Sequence, residues 1–537
     1  MRSLAAALLI AAAVTGAAHA APGRCGTRPG LQRELAADHG LAAGEPRASR
    51  RAADDDRDVD DVAVIHDGGD LVIRRNPFDL DSAALRLTPR AGGYDVARLA
   101  LALEPPGAAL GLGDDDARAV DLGFAFPFFG GTYRQAFVHS DGHVTFGSAD
   151  AGAGGSGLAR VLDGPPRIAA FFADLDPSRG GVIAVRTEAS RAVILWSGVP
   201  GAGQINRNSF QIALHADGAI DLAWGEMQTR EAIVAVVPGS SAAAAPIDWS
   251  APTPGPASGG VIERFSETER LDIVAATRRF LAGRADAFQQ VVLYTTRALN
   301  PVPGTLAFEV NVKNEVQGIG LEPMDHAAEW GSTGTLESVV YMDSIDTYAD
   351  VDGFEFLGHE VGHRWLARIG VGPLLGRGGV HWSFFLDSDA SVMEGNAIAD
   401  RGRGRFETVD FARRYSALDQ YAMGLRLAAE VPPFFYVDLP DDFRPNRPYK
   451  ASSAPEAGVS FTGVRREVHI EDVVRSLGPR VPALAPPVFR LGFVLVADDS
   501  APATESRMRA VARIRSRFGP WFEAATAGRG TAVTTLR

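Results

Sequence analysis

Hydrophobic and polar positions alternate with two different periods in two parts of the chain. Between residues 121 and 245, short runs of period two are separated by Gly, Asp and Asn turns. This pattern is typical of antiparallel strands with one buried face. After residue 260, helical spacing alternates with short continuous apolar runs. The sequence therefore predicts a multidomain α+β protein, with an antiparallel β-sandwich followed by an α+β domain.

The α+β domain has a recognisable order of elements. The spacing predicts a helix, a buried strand, an edge strand, a second buried strand and then a further helix. These are Glu267 to Leu281, Val291 to Tyr294, Leu306 to Val316, Val339 to Met342, and a helix opened by Asp352 and Gly353. Nearer the C-terminus, Ile470 to Leu477, Val488 to Ala497 and Glu505 to Phe518 predict helix, strand and helix.

Composition and charge patterning suggest boundaries and a location. Residues 1–20 have the basic start, apolar core and small-residue end of a secretory signal peptide. We expect an N-terminal segment or pro-region at 21–115, the sandwich at 116–245, a Pro- and Gly-rich linker at 246–260 and the α+β domain at 261–537. The mature protein is expected to be secreted, extracellular or periplasmic. Its oligomeric state cannot be predicted from the sequence.

The overall composition excludes several classes of function. With 537 residues and a formal charge of -13, the chain has no basic excess with which to bind nucleic acid. No segment after the leader has the roughly 20 continuous apolar residues of a membrane span. Cys25 is the only cysteine, so no intrachain disulfide can form.

One motif carries the chemistry. His359 and His363 are four residues apart, and a helix places such residues on one face, where two imidazoles can bind one metal ion. Glu360 lies between them, where its carboxylate can accept a proton from a zinc-activated water. Because only 11 of the 537 residues are histidines, an HExxH motif would rarely occur by chance. The motif resembles that of the zincin metallopeptidases, which implies Zn²⁺ and a zincin-type catalytic domain.

The third metal ligand is less constrained. The metzincin pattern HExxHxxGxxH requires Gly and His where this chain has Leu366 and Ile369. The later segment ASVMEG resembles the Met-turn of secreted proteases such as the immune inhibitor A group, which implies a ligand between the helix and Met393. His381 is the first candidate, because neutral imidazole is a favoured zinc ligand. The acidic alternatives are Asp387, Asp389 and Glu394.

A second resemblance concerns the predicted sandwich. Four segments, GFAFPFFGGTY, VHSDGHVTFG, RIAAFFADLD and NSFQIALHADGAIDLAW, look like the nidogen-like extracellular β domain. They begin at Gly123, Val138, Arg167 and Asn208. That resemblance implies an adhesive or substrate-presenting module and no chemistry.

The predicted function is a secreted zinc endopeptidase that acts on a protein or peptide substrate, with Glu360 as general base. The alternative is an extracellular adhesive protein built on the nidogen-like domain, with the zincin fold as a non-proteolytic scaffold. A zinc hydrolase acting on a non-peptide bond is a third reading. Tyr421 is a candidate for assisting the oxyanion, and Met423 is a rival Met-turn residue that packing in the core also explains.

A short segment near the N-terminus suggests latency. Residues 22–29, PGRCGTRP, resemble the cysteine-switch segment of matrix metalloproteinase pro-domains. The resemblance implies a thiolate of Cys25 on the zinc. The alternative is a free thiol in a flexible tail.

Overall fold

The computed structural model describes residues 25–44, 56–150, 157–240, 244–302, 304–348, 353–438 and 449–537. The predicted signal peptide at 1–20 lies outside these residues. The described residues form two compact units. Residues 29–44 and 68–276 belong to one, which we call the sandwich unit. Residues 25–28, 56–67 and 277–537 belong to the other, the α/β unit.

The sandwich unit contains two large sheets that share one hydrophobic core. The first sheet has seven strands, in the spatial order Ala244–Pro246, Gly260–Phe265, Ala232–Val237, Arg167–Phe172, His143–Thr145, Gly131–His139 and Ala117–Phe128. The second has eight, in the order Gly255–Ser258, Gly93–Arg98, Ala84–Arg90, Ile220–Met227, Asn208–His215, Arg191–Val199, Val182–Thr187 and Ala108–Ala109.

Side-chain alternation explains how these strands form a core. In Ala117–Phe128 every second residue from Val120 to Phe128 is buried, and most residues between them are exposed. A strand directs successive side chains to opposite faces, so this sequence can cover only one face of a core. The unit also contains helices Leu31–Gly44 and Leu158–Asp163 and a short pair of strands, Val72–Ile73 and Arg270–Leu271.

The predicted linker at 246–260 differs from the structure. Gly255–Ser258 pairs with Gly93–Arg98, and Gly260–Phe265 pairs with Ala232–Val237. Gly259 turns the chain between them with φ of 69°, a conformation that glycine adopts without steric cost. The Pro- and Gly-rich composition therefore marks turns between sheet strands, one of which, Gly255–Ser258, pairs with a strand far away in the sequence. Part of the predicted pro-region, Ala84–Arg98, likewise contributes sandwich strands.

The α/β unit is built on a seven-stranded sheet. Its main path runs Arg57–Val59, Val62–His66, Val488–Ala497, Gln290–Thr295, Ser338–Ser344 and Phe308–Asn311, and Thr531–Val533 pairs with Val488–Ala497. The central strands are parallel and almost entirely buried, as continuous apolar runs predict. Phe308–Asn311 is antiparallel to its neighbour and lies last in the order, where an edge strand is predicted.

Helices and a second sheet complete this unit. The helices are Phe354–Gly362, Ala417–Met423, Ile470–Leu477 and Glu505–Ala525, and Ile273–Ala282 runs across the unit boundary in the sequence. The six-stranded sheet has the order Ser460–Thr462, Arg405–Phe411, Asn396–Asp400, Leu386–Asp387, Phe434–Asp438 and Val464–Val468. Lys313–Asn314 pairs with Met324–Asp325. One core packs the first sheet against Phe354–Gly362 and Glu505–Ala525.

Candidate metal centre

The motif helix, Phe354–Gly362, positions the first two histidines. Gly353 precedes it in the left-handed conformation, with φ of 66°. His363 follows the helix as its C-cap and keeps right-handed helical angles, so it remains on the face of His359. Both imidazoles and the Glu360 carboxylate are buried. The helix therefore directs all three functional groups into the protein.

His381 joins the two helix histidines from a separate loop. Its ring centroid lies 5.1 Å from that of His359 and 5.0 Å from that of His363. The Nε2 atoms of the two helix residues are 3.1 Å apart. One potential ligand atom from each of the three histidines and from Cys25 lies within 4.8 Å of the others. The structure thus brings all three histidines predicted to bind metal into one cluster.

In two of the three imidazoles, a backbone carbonyl defines which nitrogen faces the cluster. His359 Nδ1 lies 2.7 Å from the carbonyl oxygen of Val392, and His381 Nδ1 lies 2.8 Å from that of Arg377. A carbonyl oxygen only accepts hydrogen bonds, so each Nδ1 carries the proton and each Nε2 presents a lone pair. Such carbonyl partners orient metal-binding histidines in proteins.

The hydrogen bonds of the described residues leave part of this cluster unsatisfied. If His363 donates Nε2–H to His359, its buried Nδ1 lacks a hydrogen-bond partner among the described residues. If instead Nδ1 carries the proton, two lone pairs face each other at 3.1 Å. A cation bound by both Nε2 atoms would remove this second conflict. Three neutral imidazoles are also a ligand set that zinc accepts.

Burial keeps the histidines neutral. Loss of solvation lowers the pKa of His359, lowers that of His363 strongly, and lowers that of His381 to about 3. Neutral imidazole is the form that binds a metal. The same burial raises the pKa of Glu360 to about 8, and the nearby Glu309 carboxyl adds to the rise. Glu360 Oε1 has no hydrogen-bond partner among the described residues.

Two glycines of the motif admit neighbours that a larger residue would exclude. A Cβ on Gly362 would lie 2.7 Å from Met393 Sδ, and one on Gly358 would lie 2.0 Å from the Trp521 ring. Met393 and Trp521 fill the space beside these two glycines, which therefore allow close packing of the helix.

The other candidates lie in different places. Asp387 accepts a hydrogen bond from the Ile398 backbone, and Asp389 is exposed. Neither carboxylate belongs to the histidine cluster within the described part of the chain. Glu394 lies nearby, with Oε1 3.9 Å from His381 Nε2, but it pairs with Arg377 at 2.5 Å.

Tyr421 and Met423 are both buried in the hydrophobic core. The hydroxyl of Tyr421 accepts a hydrogen bond from the Arg480 backbone at 3.1 Å. Met423 fits the core interpretation. Neither residue contributes an atom to the cluster of potential metal ligands found among the described residues.

Sequence reasoning missed two residues next to the cluster. Arg377 Nη2 lies 2.9 Å from His381 Nε2, in a Gly-rich loop where no pattern indicates it. Thr27 Oγ1 lies 3.2 Å from Glu360 Oε2. The sequence could have indicated Thr27, because residues two apart in an extended segment point to the same side and Cys25 is already a candidate metal ligand.

The comparisons with known proteins concern the sandwich unit. Residues 94–245 match the family described as NIDO related, which confirms the nidogen-like resemblance. No curated protein and no solved structure matches the chain. Across the described ranges, no helix has both the length and the apolar character needed to cross a bilayer.

Proposed function

We propose that the α/β unit is a zinc-dependent endopeptidase. The convergence of three buried imidazoles beside a buried glutamate carries this proposal. His359, His363 and His381 would hold the ion through Nε2. A site with three protein ligands leaves one position open, which is typical of catalytic zinc.

When bound, zinc would supply a Lewis acid that polarises a substrate carbonyl and lowers the pKa of water. Glu360 would accept the proton of the attacking water and pass it to the departing amine. Its position within the HExxH helix and its free Oε1 atom support that role.

The edge strand supports a peptide as the substrate. Phe308–Asn311 is the last strand of its sheet on the side next to the motif helix. An extended peptide can bind such an edge through main-chain hydrogen bonds. Hydrogen bonds of this kind are available to peptides and are lacking in most other hydrolase substrates.

Export of the protein and a role for the sandwich unit remain part of the proposal. The signal-like residues 1–20 and the NIDO-related match favour an extracellular or periplasmic location. That match also favours a second candidate, an extracellular adhesive protein whose α/β unit is a non-proteolytic scaffold. The intact Glu360 and the three histidines favour the enzyme.

The deciding experiment measures hydrolysis of an unfolded protein by the zinc-loaded chain. Both the natural sequence and Cys25→Ser should be tested, each with and without Glu360→Gln. The proposal expects cleavage that disappears in both Glu360→Gln forms while zinc stays bound. Zinc binding with no cleavage in any form would favour the adhesive candidate.

A further inference from the structure

A short N-terminal segment lies along the edge strand of the α/β unit. Cys25 forms a parallel bridge with Ala307, and the Gly26 N–H donates to the Ala307 carbonyl at 2.8 Å. The Glu309 N–H donates to Thr27 Oγ1 at 2.7 Å. The segment Cys25–Thr27 therefore uses main-chain groups of the edge that an extended peptide would need.

Cys25 reaches the metal cluster. Its Sγ atom lies 3.3 Å from His363 Nε2, and its S–H donates to Glu360 Oε2 at 3.4 Å. The side chain is buried, at 6% exposure. A thiolate is a strong zinc ligand and completes a four-coordinate site. The sulfur is thus placed to take the position that a catalytic site reserves for water.

Thr27 reaches the general base at the same time. Its hydroxyl lies 3.2 Å from Glu360 Oε2. Gly26, between Thr27 and Cys25, allows a close approach to the edge, because a Cβ there would lie 2.8 Å from Thr305 Cγ2. Arg377 holds the segment from the other side, by donating to the Cys25 carbonyl at 3.2 Å.

We propose that Cys25–Thr27 is an inhibitory strand built into the chain, which blocks three parts of the site together. Cys25 is the fourth metal ligand, Thr27 occupies the carboxylate of the base, and the backbone covers the peptide-binding edge. On binding the metal, Cys25 would give up its S–H proton to Glu360 Oε2, which is already the acceptor of its hydrogen bond. This inference rests on the proposed zinc peptidase function.

We expect Cys25–Thr27 to cover the site in the ground state and to leave it as one segment. The open state must be populated for substrate to enter, and minor states of this kind typically hold about 10% of the molecules or fewer. The activity of the natural sequence is limited to that fraction. Removing the sulfur should then raise the initial rate by about tenfold or more.

The test uses the zinc-loaded chain beginning at Ala21. Variants are Cys25→Ser, which keeps the side-chain shape, and Thr27→Val, which replaces the hydroxyl with a methyl group. Thr531→Val, at an exposed strand position of the same unit, is the matched control. The readouts are zinc X-ray absorption, the rate at which a thiol reagent modifies Cys25, and peptide hydrolysis from the first minute.

We expect one sulfur neighbour at about 2.3 Å in the natural sequence and none in Cys25→Ser. Thr27→Val should react faster with the thiol reagent and show intermediate activity, while Thr531→Val should match the natural sequence. If Cys25→Ser does not fold, thiol modification of the natural sequence must raise activity instead.

Two other results are informative. Equal hydrolysis by zinc-loaded natural and Cys25→Ser chains, with no sulfur neighbour, would overturn the inhibitory strand and leave the peptidase proposal standing. Absence of zinc binding and of hydrolysis in every variant would refute the peptidase proposal, and the inhibitory strand with it.

Discussion

Loss of the His381 imidazole is the substitution that most sharply tests the composition of the metal centre. His381 comes from a loop outside the HExxH helix, and its Nδ1 atom is held 2.8 Å from the Arg377 carbonyl. His381→Ala removes one of three nitrogen ligands and leaves the motif helix unchanged. We therefore expect zinc to bind more weakly without loss of the helix.

The magnitude follows from the number of ligands. Structural zinc sites with four ligands bind with about 10–16 kcal/mol, or about 3 kcal/mol for each ligand. A loss of about 3 kcal/mol corresponds to an increase in Kd of about 100-fold. Competition with a chromophoric chelator measures this change. Because the Arg377 carbonyl also loses its partner, thermal unfolding must show that the variant folds.

Two controls separate the ligand role from general damage. Glu394→Gln removes the neighbouring acidic candidate, and His326→Ala removes a histidine of the same unit that pairs with Glu329 at 3.1 Å. Both should keep zinc affinity within a few-fold of the natural chain. If His381→Ala binds zinc with the natural Kd while Glu394→Gln binds it much more weakly, the assignment of the third ligand is wrong.

Three further predictions address the base, the packing of the helix and the sandwich unit. Glu360→Gln should keep one zinc per chain, measured by metal analysis, while the initial rate of peptide hydrolysis falls by about 10²–10⁴-fold. Loss of zinc in this variant would mean that Glu360 is a metal ligand and not only a base. Gly358→Ala places a Cβ 2.0 Å from the Trp521 ring and should lower the unfolding free energy, measured with denaturant, by about 1–3 kcal/mol. The control Gly283→Ala, with nothing within 4 Å of its Cβ, should change it by less than about 0.5 kcal/mol. Equal effects of the two substitutions would refute the packing argument. Burial lowers the pKa of His139 to about 4, so between pH 6.5 and 4 the unfolded state binds more protons and the folded state becomes less stable as the pH decreases. Relative to His139→Gln, the natural chain should lose up to about 3 kcal/mol of unfolding free energy between pH 7 and pH 4. A difference between the two chains that does not change with pH would exclude this.

The sequence predicts the local parts of the candidate site well. The four-residue spacing of His359 and His363 is a property of one helix, and Phe354–Gly362 is helical as expected. The edge strand and its buried neighbours also follow from local patterns, because continuous apolar runs mark central strands. For His381 the sequence offered a ranking among four residues, and the folded loop brings His381 to the helix pair.

Long-range pairing explains where the sequence predictions differ from the structure. Glu267 to Leu281 was predicted as one helix, yet the helix begins at Ile273 because Arg270–Leu271 forms a strand with Val72–Ile73. The linker prediction differs for the same reason, since Gly255–Ser258 has strand partners more than a hundred residues away. Hydrogen bonds between distant segments override local composition. Such pairings cannot be recognised from the local pattern of a single sequence.

Our proposal for the metal centre is that three histidines of this chain hold a zinc ion beside a glutamate. Its most direct test is the zinc content of the chain purified with Cys25→Ser, compared with the same chain carrying both His359→Ala and His363→Ala. We expect one zinc per molecule in the first protein, with X-ray absorption typical of imidazole ligands, and no zinc in the second. A zinc-free first protein, or equal zinc in both, would contradict it.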